Sequence, residues 1–165
     1  MTTDSYPAPS DPLSAAPWPV ATDRLRLRRA TEADISALWR YRQLPEATEW
    51  VTSAPRDLNE FRRHLSESNG LTRLLVIELL GSPQPTIIGD IMVVVGDGWA
   101  QREIRDQARG TQAELGWILH PAFSGQGFAT EAVHAAITLC FTTLGLRRVS
   151  AGCFADNEPS WRLME

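Results

Sequence analysis

The sequence predicts an α/β (α+β) domain in which one mixed sheet is flanked by helices, and three observations carry that reading. Apolar residues alternate with polar ones over Arg24–Arg29 and again over Thr111–Leu119, the period of half-buried strands. Between them, 74–80 and 86–95 form two β-branched, apolar runs divided by a Gly/Pro-rich break. After the glycines at 125 and 127, an apolar stripe recurs at helical spacing as far as Leu144.

Taken in order, residues 1–20 are rich in Pro, Ala, Ser and Asp without apolar period, so a flexible arm is expected there and a single domain over 21–165. Leu25 and Leu27 alternate with arginines as a first strand. Thr31 then caps a helix carrying Ile35, Leu38 and Trp39. Asp57 and Glu60 have the form of a capping box before a second helix, with Leu58, Phe61 and Leu65 on one face. Gly81, Ser82, Pro83 and Pro85 suggest the turn of a hairpin. A long polar loop is expected over 97–110, followed by the strand ending at His120-Pro121. Val133, Ile137, Cys140, Phe141 and Leu144 form the expected buried stripe of the next helix, which Gly145 stops. Residues 147–153 read as a further strand. Asn157 opens a last helix, where Pro159 suits an early position because its missing N–H costs little.

The chain has 165 residues, is 43% hydrophobic and 22% charged, and carries a formal charge of -4. Those values suit one globular core and give no overall pull toward nucleic acid or an anionic membrane. No apolar run approaches the roughly 18–20 residues a bilayer span requires, and no basic-then-apolar leader opens the sequence, so a cytoplasmic protein is expected. Cys140 and Cys153 show neither CxxC nor Cys/His metal spacing; both are expected to be buried, reduced thiols, and no metal site is expected.

The chemistry concentrates at Gly125-Gln126-Gly127, between an alternating strand and an amphipathic helix. Glycines tolerate positive φ, so successive N–H groups can converge on one anion while the helix adds its own unpaired donors and positive dipole end. A pyrophosphate matches such a cradle. A tight strand-to-helix turn would use the same glycines without binding anything. A phosphate-binding Walker loop would need Gly-Lys-Ser/Thr, and a dinucleotide fold would place its glycines after the first strand; neither pattern is present.

The surrounding residues extend the pattern: His120-Pro121, Phe123, Gly125-Gln126-Gly127, Phe128, Ala129-Thr130-Glu131-Ala132, and later Asp156-Asn157-Glu158-Pro159-Ser160 with Arg162-Leu163-Met164-Glu165. Together these resemble the GNAT superfamily of N-acetyltransferases over 23–165, in particular the branch of ribosomal-protein N-terminal alanine acetyltransferases. The resemblance implies a mostly antiparallel central sheet and acetyl-CoA as the acyl donor. It implies direct attack by a primary amine, such as a protein N-terminal α-amine, in a ternary complex. Dimers are common in that branch. The usual Arg or Gln three positions before the first glycine is Ala122 here, which leaves the phosphate to backbone donors. Members also continue into Lys-Leu-Gly and two further strands, so the domain is expected to be C-terminally incomplete and to expose a sheet edge.

By that resemblance, Gly125, Gln126, Gly127, Phe128, Ala129 and Thr130 bind the donor's pyrophosphate. The main-chain N–H groups of Trp117, Ile118 and Leu119 hold its pantetheine and polarise the carbonyl. Glu114, on the other strand face from Trp117, is either the general base or a surface glutamate. Ser160 is either a donor to the departing thiolate or a first-turn helix residue. Asn157 suits both a helix cap and a pantetheine contact. His120 reads as a strand-ending residue, His64 and His134 as helix-surface residues, and Glu131 as a first-turn acid without chemistry. Trp39, Trp50, Trp99 and Trp161 belong either to the core or to an acceptor pocket. A small-molecule acetyltransferase and a non-catalytic acyl-CoA-binding module are the competing readings.

Overall fold

The computed structural model describes residues 11–81 and 83–165, so Ser82 of the expected hairpin turn lies outside the described residues. The chain runs β1 (Val20–Ala21), β2 (Leu25–Arg29), α1 (Ile35–Arg42), α2 (Pro45–Thr48), α3 (Leu58–Glu67), β3 (Leu74–Leu79), β4 (Thr86–Gly96), β5 (Gln112–Leu119), α4 (Phe128–Thr142), β6 (Arg148–Ala151) and α5 (Glu158–Met164). The sheet order is β1-β2-β3-β4-β5-β6. Every neighbouring pair is antiparallel except β5 and β6, which are parallel. A parallel pair needs a crossover, and α4 supplies it.

The central strand β3 is buried on both faces, and Leu74–Ile77 reads as a continuous apolar run for that reason. Its side chains alternate between two cores. Leu75 and Ile77 join Leu25, Leu27, Ile91, Val93, Ala113 and Leu115 beneath Phe128, Ala132, Val133, Ala136 and Cys140 of α4. Leu74 and Val76 join Ile35, Leu38, Tyr41, Phe61 and Leu65 of α1 and α3 on the opposite face. The expected fold class is the observed one.

The arginines of β2 serve the second face rather than solvent. Arg26 and Arg28 donate to the buried carboxylate of Glu78 at 2.6 and 2.8 Å, and Arg28 adds two bonds to Asp34 at 2.8 and 2.7 Å. Asp34 also accepts from the N–H and hydroxyl of Thr31, which caps the turn leading into α1. Burial alone would push the Asp34 carboxyl up, but the bonds from Arg28 and Thr31 outweigh it and hold the group below the usual carboxylate range.

Four expectations need correction. Residues 11–20 pack on the domain: Leu13 is 1% exposed, the Trp18 Nε1 donates to the Leu13 carbonyl at 2.7 Å, and Val20 pairs with Leu27. Single anchors without periodicity leave no pattern to read, and the expected arm over 1–10 lies outside the described residues. The polar stretch 97–110 contains helical turns over Arg102–Ala108, and Gly98 N donates to the Ala108 carbonyl at 2.7 Å, closing its base. The buried stripe of α4 passes through Leu139 and Cys140, leaving Phe141 exposed, because the helix is oriented by small residues Ala132 and Ala136 seated on the sheet. Cys140 is buried, and burial pushes its thiol up to about 11, whereas Cys153 lies beyond the end of β6 and is exposed.

Candidate active site

The site begins where two strands part. β5 pairs with β4 from Gln112 through Leu119, but its parallel pairing with β6 ends at Leu115 opposite Ala151. Beyond that point one edge of β5 has no partner strand among the described residues. The His120 N–H donates to the Ile88 carbonyl of β4 at 2.7 Å. Alternation along an antiparallel ladder then turns the main-chain groups of Ile118 toward β4 and those of Trp117 and Leu119 away from it, into the gap. Ile118, expected among the donors, therefore spends its amide inside the sheet.

Gly89 of β4 makes this strand pair possible. A Cβ there would meet the Ile118 carbonyl oxygen at 2.7 Å, well inside any real contact. The β3–β4 register also shifts beside it, between Ile77 and Glu78, so Ile88 is the additional residue of a bulge.

At the end of β5 the glycine turn has the positive-φ conformation expected of it. Gly125 and Gly127 have φ of 74° and 78°, and Gly127 stands directly before α4. The main-chain N–H groups of Gly125 through Thr130 make no hydrogen bond among the described residues. Exposed donors of this kind are solvated in the free protein and are available to an anion, with the α4 dipole adding to them. Gln126 sits at the back of the turn: its carbonyl accepts from Arg24 at 3.0 Å, and it is absent from the cleft wall.

Gap and turn open into one cleft of about 1110 Å³, whose walls include Glu114, Trp117, Ile118, Leu119, Gly125, Gly127, Phe128, Ala129, Thr130, Asn157 and Ser160. Eleven of the expected site residues thus converge, Gln126 alone standing outside. Asn157 is buried and its Oδ1 accepts from Ser160 N at 3.3 Å, capping α5; the Asn157 Nδ2 and the Ser160 hydroxyl keep no partner among the described residues. Glu114 is exposed to the cleft, and its carboxylate forms no ion pair or hydrogen bond among the described residues. His120 is not among the residues of the cleft wall: its Nδ1 accepts from Ala122 N at 3.1 Å, as a strand-ending residue would.

The opposite wall holds residues the sequence reading passed over. Asp90 of β4, pairing with Ile118, is 1% exposed and accepts from the Tyr41 hydroxyl and from both Nε and Nη2 of Arg42. Burial and then the Asp90 charge push the Tyr41 phenol well above its usual value, so it remains a donor. Burial opposes the Arg42 charge, but Asp90 outweighs it and the guanidinium stays protonated. The visible signal was a single aspartate within an otherwise apolar run. The tryptophans separate: Trp39 packs on Phe61 in the core, Trp50 lines the cleft 6.4 Å from Phe154, and Trp99 and Trp161 lie at the surface. Cys153 also lines the cleft. Among the described residues no group of His, Cys, Asp and Glu is placed to hold a metal, and no helix is long and apolar enough to cross a membrane.

A family model described as an acetyltransferase (GNAT) domain matches residues 24–165. The uncharacterized N-acetyltransferase p20 of Bacillus licheniformis is 31% identical over 144 residues, covering 87% of this chain and 77% of p20. In structure, a GNAT-family acetyltransferase from Bacillus anthracis superposes with a TM-score of 0.70 at 22% identity, covering 88% of this chain and 79% of that one. Mycobacterium smegmatis RimJ, solved in complex with CoA-disulfide, gives 0.65 at 22% identity, covering 89% and 74%. The glycine cradle, the parted strands and a match spanning nearly the whole domain lead to one conclusion: the chain belongs to the GNAT family of N-acetyltransferases.

Proposed function

We propose that the protein transfers an acetyl group from acetyl-CoA to a primary amine, of the kind presented by a protein N-terminus, by direct attack in a ternary complex. The observation that carries the reading is the run of unpartnered N–H groups from Gly125 to Thr130 at the end of a strand whose edge has come free. The residues fit the donor. Gly125, Gln126, Gly127, Phe128, Ala129 and Thr130 would hold its pyrophosphate by main-chain N–H groups, and Trp117, Leu119 and Asn157 its pantetheine. Ile118 contributes packing rather than an amide. That RimJ, which shares the fold, was solved with CoA-disulfide supports coenzyme A as the carrier of the donor, not the individual contacts. Bound acetyl-CoA supplies an acetyl thioester, an acyl group already activated toward amines.

The chain's own residues then meet three needs. An incoming ammonium must lose a proton, and Glu114, unpaired and facing the cleft, accepts it directly or through water. Negative charge developing on the carbonyl oxygen meets main-chain donors of β5 at the gap. The Ser160 hydroxyl, free of other partners among the described residues, donates toward the departing thiolate. Asp90 is excluded as the base because Tyr41 and Arg42 occupy its oxygens.

On the acceptor side, Glu46, Glu49 and Glu114 line the cleft together with Trp50, while Arg42 and Arg162 are each paired with a carboxylate. This arrangement suits a cationic amine with an apolar neighbour, as at the N-terminus of a peptide, and fits the ribosomal-protein N-terminal branch. Calorimetry with coenzyme A tests the cradle. Thiol release measured with acetyl-CoA against N-terminal peptides and small polyamines tests the acceptor. Peptide-dependent release supports the proposal, release with small amines alone reassigns the acceptor, and binding without any acetylation reduces the protein to an acyl-CoA-binding module. Absence of coenzyme A binding overturns the proposal.

A further inference from the structure

The glycine turn is held from behind by a residue 102 positions away in sequence. Arg24, immediately before β2, reaches the first turn of α4 because that helix crosses the sheet over β2. Its Nη1 donates to the Gln126 carbonyl at 3.0 Å, its Nε to Glu131 Oε2 at 2.6 Å, and its main-chain N–H to Glu131 Oε1 at 2.9 Å. Thr22 adds a hydroxyl bond to the same Oε1 at 2.6 Å, and the guanidinium carbon lies 4.5 Å from the centre of the Phe128 ring. Glu131 is thereby used up in orienting Arg24. Burial alone would push its carboxyl up, but the bonds from Thr22 and Arg24 outweigh it and keep the carboxylate charged.

The bond to Gln126 has a geometric consequence. In a trans peptide unit the C=O and the following N–H lie in one plane and point in opposite directions. Arg24 draws the Gln126 carbonyl toward itself, so the Gly127 N–H of the same unit is turned the other way, away from Arg24. A peptide unit next to glycine has little steric resistance to flipping, and a flip would present a carbonyl oxygen to the anion in place of a donor.

We infer that Arg24 is a positioning residue for the anion cradle: it locks the Gln126–Gly127 peptide with its N–H toward the cleft, and Glu131 and Thr22 lock Arg24. This rests on reading the turn as the pyrophosphate site. The guanidinium's ability to bond two acceptors in a fixed fork is essential to it, because Glu131 and Gln126 must be held together.

The test uses the full chain with Arg24→Ala and Arg24→Lys. Calorimetry reads affinity for coenzyme A, and kinetics compare acetyl-CoA with acetyl-pantetheine, which lacks the pyrophosphate. Arg24→Ala is expected to weaken coenzyme A binding and raise the acetyl-CoA KM about tenfold while kcat changes less than about twofold, leaving the acetyl-pantetheine KM unaltered. Arg24→Lys, with the charge but not the fork, is expected to lose nearly as much. Full recovery in Arg24→Lys would show that charge alone matters and overturn the inference. An equal KM rise for both donors, or none for either, would overturn it too. Wild-type chain that binds no coenzyme A would instead remove the pyrophosphate reading, and this inference with it.

Discussion

Two regions of one cleft treat polar groups in opposite ways. At Gly125–Thr130 successive main-chain donors have no partner among the described residues, whereas at Asp90 a carboxylate is surrounded by donors from Tyr41 and Arg42. Exposure explains the contrast. Donors on a rim are solvated and cost little until an anion arrives, but a carboxylate at 1% exposure must be paired or it would destabilise the fold. Glu114 stands between these cases, on the neighbouring strand, ionisable and unpartnered. Groups available for chemistry are those the fold can leave open without penalty, and the most heavily bonded carboxylate in the cleft is a strut.

That comparison can be broken most readily at the strut. Asp90→Ala leaves the half-buried Arg42 guanidinium and the buried Tyr41 hydroxyl without their acceptor and is expected to cost about 3 kcal/mol, read as a lower midpoint in thermal or urea unfolding; a midpoint equal to wild type would refute the role. Glu114→Gln should show the reverse profile, with stability within about 0.5 kcal/mol of wild type and turnover reduced about 100-fold at unchanged coenzyme A affinity. Unchanged turnover would remove Glu114 from the mechanism. Gly127→Ala sharpens the view of the rim. A Cβ at φ of 78° costs roughly 1–2 kcal/mol, so coenzyme A binding should weaken, while Gly96→Ala, with open space and ordinary φ, should leave it alone.

The smallest effect concerns acid. Asp34 is held below its unfolded value, so its stabilising contribution is complete above about pH 4 and is lost as pH falls through the folded-state value. The acid limb of a plot of urea midpoint against pH should be shallower in Asp34→Asn. A limb as steep as that of wild type would place the acid sensitivity elsewhere.

Much of this was legible because it is local. Leu25 and Leu27, the alternation over 112–119, and Gly125 and Gly127 each express a short-range rule of period or backbone conformation, and they carry the strands and the cradle. What escaped was set by distant partners. Nothing near Asp90 announces Tyr41 and Arg42, nothing near Glu131 announces Arg24, and Leu13 is buried by residues of strands and a helix far along the chain. Cys153 shows the limit of periodicity itself: it continues the alternation of Val149 and Ala151 past the residue at which β6 ends, and so reads as buried where no sheet remains to bury it.

The early end of the β5–β6 pairing has a further implication. In the proposed function the contacts there are offered by peptide groups of Trp117 and Leu119, which every non-proline amino acid carries alike. Substitution at those two positions can therefore drift widely, provided the strand stays extended and proline is avoided, without erasing the binding edge. A search for this site in distant sequences should accordingly look for two neighbouring strands of unequal length, not for particular letters at their tips.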